Sequence, residues 1–161
     1  MGARSNVNFI TDRRSITTPD GEVEQIIGLN VYLHWGCVEA LILALETASE
    51  DEVYGRRNDT YFVGLVTERI APSGGMLGAA LEPFVATSDA AAYAHIQDNS
   101  FMVLAFDQTK QVAALTWPNR DGGTPEVFGI FPLTKDGLSQ CRAGIMEHYE
   151  LTEEALKIGH P

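Results

Sequence analysis

Residues 36–50, GCVEALILALETASE, carry the clearest periodic pattern in the chain. Apolar residues recur there at positions i, i+3, i+4 and i+7, which are Val38, Leu41, Ile42 and Leu45. This spacing places side chains along one face of a helix. The sequence therefore predicts an amphipathic helix whose apolar face packs against the rest of the protein and whose acidic face points outward.

Further helices are predicted on both sides of the chain's midpoint. Asn58 or Asp59 can cap a second helix, which Pro72 ends, and Ser88 can cap an alanine-rich helix. Residues 76–82 are expected to form a short helical turn. Towards the C-terminus, Thr134 and the apolar residues that follow it indicate another helix.

Strands are predicted near both ends of the chain. Residues 15–18 and 22–27 flank Pro19-Asp20-Gly21, a turn sequence, and together indicate a hairpin. Three short apolar runs separated by turns, at residues 101–106, 112–117 and 126–131, indicate an antiparallel meander.

The grouping of helices and strands predicts an α+β fold. We expect an antiparallel three-stranded meander in the C-terminal half and an N-terminal hairpin, packed against about three to five helices. The length of 161 residues is that of a single domain, residues 1–161.

Acidic residues outnumber basic ones, 22 against 11, and the net charge is −11. A surface that binds nucleic acid or anionic lipid needs clustered Lys and Arg, so direct binding to either is not expected. The longest apolar run, residues 38–45, is too short to span a membrane, and no signal-peptide pattern is evident. With two cysteines expected to be free thiols, the sequence indicates a cytoplasmic protein.

The predicted first helix and its flanks carry an acidic stripe. It consists of Glu39, Glu46, Glu50, Asp51 and Glu52. Such a stripe is either a solvated surface or a patch that docks on a basic partner. Trp35 and Trp117 each adjoin a turn-forming residue, where a half-exposed tryptophan can anchor an interface or cover the core.

One combination of residues is suited to nucleophilic catalysis. Cys37 lies at the predicted start of the first helix, where the positive end of the helix dipole lowers a thiol pKa. His95 and Asp107 follow it, and the order Cys, His, Asp resembles that of papain-like peptidases and amidases. This resemblance implies a nucleophile, a base and an orienting carboxylate. The alternative is that Cys37 is a small apolar residue packed beside Trp35.

No cofactor or metal site is predicted. Residues 73–78 are rich in glycine, but they lack the preceding strand and the lysine of a phosphate-binding loop. The four histidines show no metal-ligand spacing.

The leading functional hypothesis is a non-enzymatic acidic protein-binding module. It would act as an inhibitor, an immunity protein or a chaperone that docks on the basic surface of a partner protein, in one version by mimicking nucleic-acid phosphates. The expected contact residues are the acidic stripe and Trp35, and self-association into a homo-oligomer stays open. The competing hypothesis is a cysteine hydrolase that uses Cys37, His95 and Asp107.

Overall fold

The computed structural model describes residues 4–98, 101–118 and 124–158. Its strands are β1 (Ser5–Thr18), β2 (Gly21–Leu33), β3 (Ala80–Ala86), β4 (Val103–Asp107), β5 (Val112–Trp117) and β6 (Glu126–Pro132). Its helices are α1 (Glu39–Ser49), α2 (Asp51–Tyr54), α3 (Thr60–Ile70), α4 (Asp89–Tyr93), α5 (Lys135–His148) and α6 (Glu153–Ile158). A 3₁₀ helix, Ala71–Leu77, follows α3 directly.

The strands form one mixed sheet in the order β3-β2-β1-β4-β5-β6. The predicted hairpin corresponds to β1 and β2, which pair in antiparallel fashion. β1 also pairs with β4, here in parallel, with Val7 opposite Leu104. The α+β class predicted from the sequence is confirmed, but the strand arrangement is broader than expected. The meander is half of a six-stranded sheet, and the described residues form six helices, more than the predicted range.

The larger core lies between one face of the sheet, which we call the helical face, and the helices α1, α3 and α5. The apolar stripe of α1 is buried in this core, as its spacing predicts. Phe9 of β1 and Phe106 of β4 stack with ring centroids 5.5 Å apart, and Phe62 of α3 meets both rings edge-on. These contacts fix α3 on the sheet, and α1 packs against α3 in the same core.

The opposite face of the sheet is covered mainly by α4 and the residues that follow it. Ile10, Ile26 and Phe84 form a smaller apolar cluster there with Ala92 and Tyr93. Side chains alternate between the two faces along a strand. This alternation places the residues of the smaller cluster, which lie next to His95, on the face of the sheet that α1 does not cover.

Three predicted helix caps are present in the structure. The side chains of Asp59, Ser88 and Thr134 accept hydrogen bonds from the backbone N–H groups of Tyr61, Ala91 and Gly137. Each satisfies an N–H group that lacks a partner within its helix. The sequence-based helix starts at these positions are therefore confirmed.

Residues 76–82 differ from the prediction of a helical turn. They span the end of the 3₁₀ helix and the beginning of β3, which pairs with β2 from Ala80 to Ala86. Pro83 lies in the middle of β3, where it lacks a backbone N–H to donate. An edge strand tolerates a proline because only one of its sides is paired, which explains how this segment can be extended.

The first turn of α5 lies unusually close to the end of β6. A Cβ atom built on Gly137 would lie 1.8 Å from the carbonyl oxygen of Pro132. Only a residue without a side chain fits this approach.

Across the described residues, no helix combines the length and the apolar composition needed to cross a membrane.

Candidate functional site

A groove of about 810 Å³ runs along the outer surface of α1. α1 forms its floor, the 3₁₀ helix forms one wall, and α6 with part of α5 forms the other. We call it the α1 groove, and its lining residues are Trp35, Gly36, Cys37, Glu39, Ile42, Leu43, Glu46, Pro72, Ser73, Gly75, Arg142, Glu153, Leu156 and Lys157. It therefore unites residues from four separate parts of the chain.

The floor of the α1 groove is apolar in the middle and acidic at both ends. Ile42 and Leu43 lie between Glu39 and Glu46, which are seven residues apart on α1. At a rise of 1.5 Å per residue, this spacing separates the two glutamate backbones by about 10 Å. Among the described residues, Glu39 has no ion-pair partner. The floor thus offers apolar contact together with an uncompensated negative charge.

Arg142 of α5 connects the floor to one wall. Its Nη2 atom lies 3.0 Å from a carboxylate oxygen of Glu46, and its Nη1 atom lies 2.6 Å from one of Glu153. A second bond, from Nη2 to Glu153, makes the contact with α6 bidentate. The hydrogen bond from Arg142 holds the pKa of Glu153 below its ordinary value. Arg142 therefore fixes α6 beside α1 and shapes the groove.

Trp35 lies at one end of the α1 groove, in the turn between β2 and α1. Its side chain is 48% exposed. The indole lies beside Gly75 of the 3₁₀ helix, and the ring of His34 meets it edge-on at 4.8 Å. A large side chain held in this way, yet half open to solvent, is typical of an interface anchor.

Cys37 also lines the α1 groove, but it is not at a helix start. α1 begins at Glu39, and Cys37 has a left-handed backbone conformation with φ of 56°. Partial burial and the nearby carboxylate of Glu39 raise the pKa of the Cys37 thiol. The sequence-based expectation of a lowered thiol pKa is therefore wrong. The helix dipole acts mainly within the first turn, and the adjacent glutamate opposes it.

His95 lies on the face of the sheet that α1 does not cover. Its Nε2 atom is 2.5 Å from a carboxylate oxygen of Glu82, and its ring stacks on Phe84 at a centroid distance of 4.1 Å. Its backbone carbonyl accepts hydrogen bonds from the buried amides of Asn8 and Asn30. The surroundings of His95 come from β1, β2 and β3.

Asp107 is fully buried at the end of β4. One carboxylate oxygen accepts bonds from Arg13 at 2.5 Å and from Tyr93 at 2.6 Å. The other accepts bonds from the backbone and hydroxyl of Thr109 and from the backbone of Lys110. Burial raises the pKa of this carboxyl, but the bonds from Thr109, Tyr93 and Arg13 outweigh burial and lower it. The charge of Asp107 is thus used within the fold.

The structure does not bring Cys37, His95 and Asp107 together. Cys37 lies near Ser5, whose hydroxyl donates to its carbonyl, whereas Asp107 lies opposite Ile10. These two β1 residues are five positions apart, about 16 Å along an extended strand. Within the described ranges, no hydrogen bond joins any two of the three proposed catalytic groups. The arrangement that the resemblance to papain-like enzymes implies is therefore not present.

No protein-family model, curated protein or solved structure matches this chain.

The predicted acidic stripe divides into two parts. Glu39 and Glu46 lie in the α1 groove, together with Trp35 from the same set of expected contact residues. Glu50 instead pairs with Arg69 of α3 at 2.9 Å, and Asp51 pairs with Lys135 of α5. The hydrogen bond from Lys135 lowers the pKa of Asp51. Glu52 is exposed on α2, outside the groove.

Arg142 and Leu156 of the groove were not among the expected contact residues. They lie more than 90 positions from α1 in sequence, and their approach to it depends on how α5 and α6 pack.

In the part of the chain that the structure describes, no three His, Cys, Asp or Glu side chains form a group suited to a metal ion. Both thiols are free, and burial raises the pKa of Cys141 to about 12.

Proposed function

We propose that this chain is a protein-binding module that takes a basic segment of a partner protein in the α1 groove. The observation that carries the proposal is the groove itself, where half-exposed Trp35 and the carboxylate of Glu39, unpaired among the described residues, lie beside an apolar floor. A segment with one large apolar side chain and a nearby Lys or Arg would complement this surface in shape and charge.

The distribution of ion pairs supports a basic partner. Most basic side chains that the structure describes already bind carboxylates of the same chain, as Arg13, Arg69, Lys135 and Arg142 do. The surplus behind the net charge of −11 therefore consists of carboxylates without such partners, and Glu39 is one that faces the groove. An unpaired carboxylate beside apolar surface favours encounter with a cation.

This proposal retains the leading hypothesis from the sequence and narrows its contact surface. Inhibitor, immunity protein and chaperone are all roles that such a module can serve. In each role the module would occupy a basic surface of the partner, including one that otherwise binds nucleic-acid phosphates. We do not propose the cysteine hydrolase, because the groups it requires lie in separate surroundings.

The test compares two charge-matched double variants of the immobilised protein. The groove variant combines Trp35→Ala with Glu39→Lys, and the control combines Ile16→Ala with Glu22→Lys in the exposed hairpin. Each protein is exposed to an extract of the source cells at low and high salt, and captured proteins are quantified by mass spectrometry. We expect the captured amount of at least one protein to be about tenfold lower for the groove variant, and for that variant alone.

Salt supplies a second criterion, because screening weakens attraction between exposed charges. The captured protein should be recovered less well at high salt, and the control variant should behave as the unmodified chain does. Circular dichroism and urea unfolding establish that both variants are folded. An identical captured set for the two variants would overturn the proposal, and so would the absence of any protein that distinguishes them.

A further inference from the structure

Aromatic rings cluster on the surface where α5 ends beside β5 and β6. The ring of His148 lies 5.6 Å from that of Trp117 and 5.4 Å from that of Phe128. Trp117 is 38% exposed and Phe128 is 47% exposed. We call these three residues the Trp117 patch. Large rings left open to solvent in this way mark a candidate contact surface.

One carboxylate lies beside Trp117, and two more lie close in sequence to His148. Glu126 is the cross-strand partner of Trp117 in the β5–β6 ladder, so the two side chains share one face of the sheet. Glu147 precedes His148 on α5, and Glu150 follows shortly after the helix ends. None of these three carboxylates has an ion-pair partner in residues 4–98, 101–118 and 124–158. Trp117 therefore has an unpaired carboxylate beside it among the described residues, and the end of α5 carries further negative charge.

Two tyrosine rings of this chain, those of Tyr54 and Tyr61, are paired with cations. The guanidinium of Arg57 lies 4.2 Å from the ring centre of Tyr54, and that of Arg56 lies 5.0 Å from that of Tyr61. Among the described residues, no Lys or Arg lies over Trp117 or Phe128. As far as the described residues show, the Trp117 patch thus combines ring surface free of cations with unpaired carboxylates, and both attract a cation.

We propose that the Trp117 patch binds an arginine side chain of a partner protein. The planar guanidinium would stack on the rings of Trp117 and Phe128, while Glu126 and Glu147 would accept its N–H groups. Tryptophan is the aromatic side chain that attracts cations most strongly. Trp117 is absent from the lining of the α1 groove, so this second surface can bind whether or not the groove does.

The test is an NMR titration of the full ¹⁵N-labelled chain. Its two tryptophans, Trp35 and Trp117, give two indole N–H signals, which a Trp35→Phe variant assigns. The probe is acetyl-Gly-Arg-Gly-amide, and acetyl-Gly-Gln-Gly-amide is the uncharged control. We expect the arginine peptide to shift the Trp117 signal along a saturating curve, with a dissociation constant on the order of millimolar.

Charge-removing variants test the role of the carboxylates. Glu126→Gln with Glu147→Gln should weaken arginine-peptide binding roughly fivefold. The matched control, Glu22→Gln with Glu52→Gln, removes two exposed carboxylates elsewhere and should leave binding unchanged.

Equal shifts with the glutamine peptide, or no saturating shift of Trp117, would overturn the proposal. A response of the Trp35 signal alone would overturn it as well, and would place the cation at the α1 groove. If the groove variant captured the same proteins as its control, the expected result of this titration would stay the same.

Discussion

Replacing Asp107 with Asn removes one buried negative charge with little change of shape. The carboxylate accepts five hydrogen bonds, which tie the end of β4 to β1, to α4 and to the following turn. In Asn, an N–H₂ donor group replaces one of the two carboxylate oxygens. This donor then faces the groups that donated to that oxygen. The variant therefore leaves donors such as the Tyr93 hydroxyl without their bond.

The expected cost follows from this geometry. Asp107 is fully buried, and the side chain of its partner Arg13 is only 14% exposed. Removing one member of a buried ion pair costs about 3–5 kcal/mol. Arg13 keeps bonds to Asp89 and Glu24, so we expect the lower end, about 3 kcal/mol at pH 7. Asp89→Asn, at a partly exposed position, is the control and should cost at most about 1 kcal/mol.

The pH dependence provides a sharper test. The pKa of Asp107 in the folded protein lies below the ordinary value of 3.8. Its stabilisation is therefore fully present above pH 3.8 and is lost as the pH falls through the folded-state pKa. The difference in unfolding free energy between the unmodified protein and Asp107→Asn should be constant from pH 8 to about pH 5. It should then shrink in more acidic solution.

Urea unfolding followed by circular dichroism measures this difference at each pH. A cost below about 1 kcal/mol at pH 7 would show that the carboxylate is not the acceptor its contacts indicate. A difference that stays the same down to pH 3 would refute the inferred direction of the pKa shift.

Two further predictions concern thiol reactivity and close packing. Because burial and Glu39 raise its pKa, Cys37 should react with iodoacetamide more slowly than a free cysteine at pH 7 and faster as the pH rises, as mass spectrometry can follow. Fully buried Cys141 should stay unmodified in the folded protein, and equal labelling of both thiols would contradict this. Gly137→Ala should lower stability by about 2 kcal/mol or more in urea unfolding, since its Cβ would overlap the Pro132 carbonyl, whereas Gly64→Ala, with open space around it, should be tolerated.

Local chemistry made much of the fold predictable. The α1 stripe and the caps Asp59, Ser88 and Thr134 depend on residues a few positions apart, and all are present as expected. β3 was missed because its central Pro83 is unfavourable in most strands and is tolerated at this edge. The parallel pairing of β1 with β4 has no local sequence signal, since its partners lie far apart in the chain.

The candidate site was predictable to a similar extent. The spacing of Glu39 and Glu46 placed them together on the outer face of α1, and both lie in the groove. The spacing could not reveal that Glu46, Glu50 and Asp51 each pair with a cation from another helix, namely Arg142, Arg69 and Lys135. Local spacing predicts which side chains share a helix face, but tertiary packing decides which of them keep an available charge.

The parallel pairing of β1 with β4 also governs how the protein can be made. Val7 meets Leu104 across the centre of the sheet, so most of the chain must be synthesised before these strands can join. Until then, the inner edge of β1 and the apolar residues of α1 lack their final neighbours. During translation the N-terminal half is therefore exposed to aggregation, and its protection on the ribosome should matter more than that of the later meander.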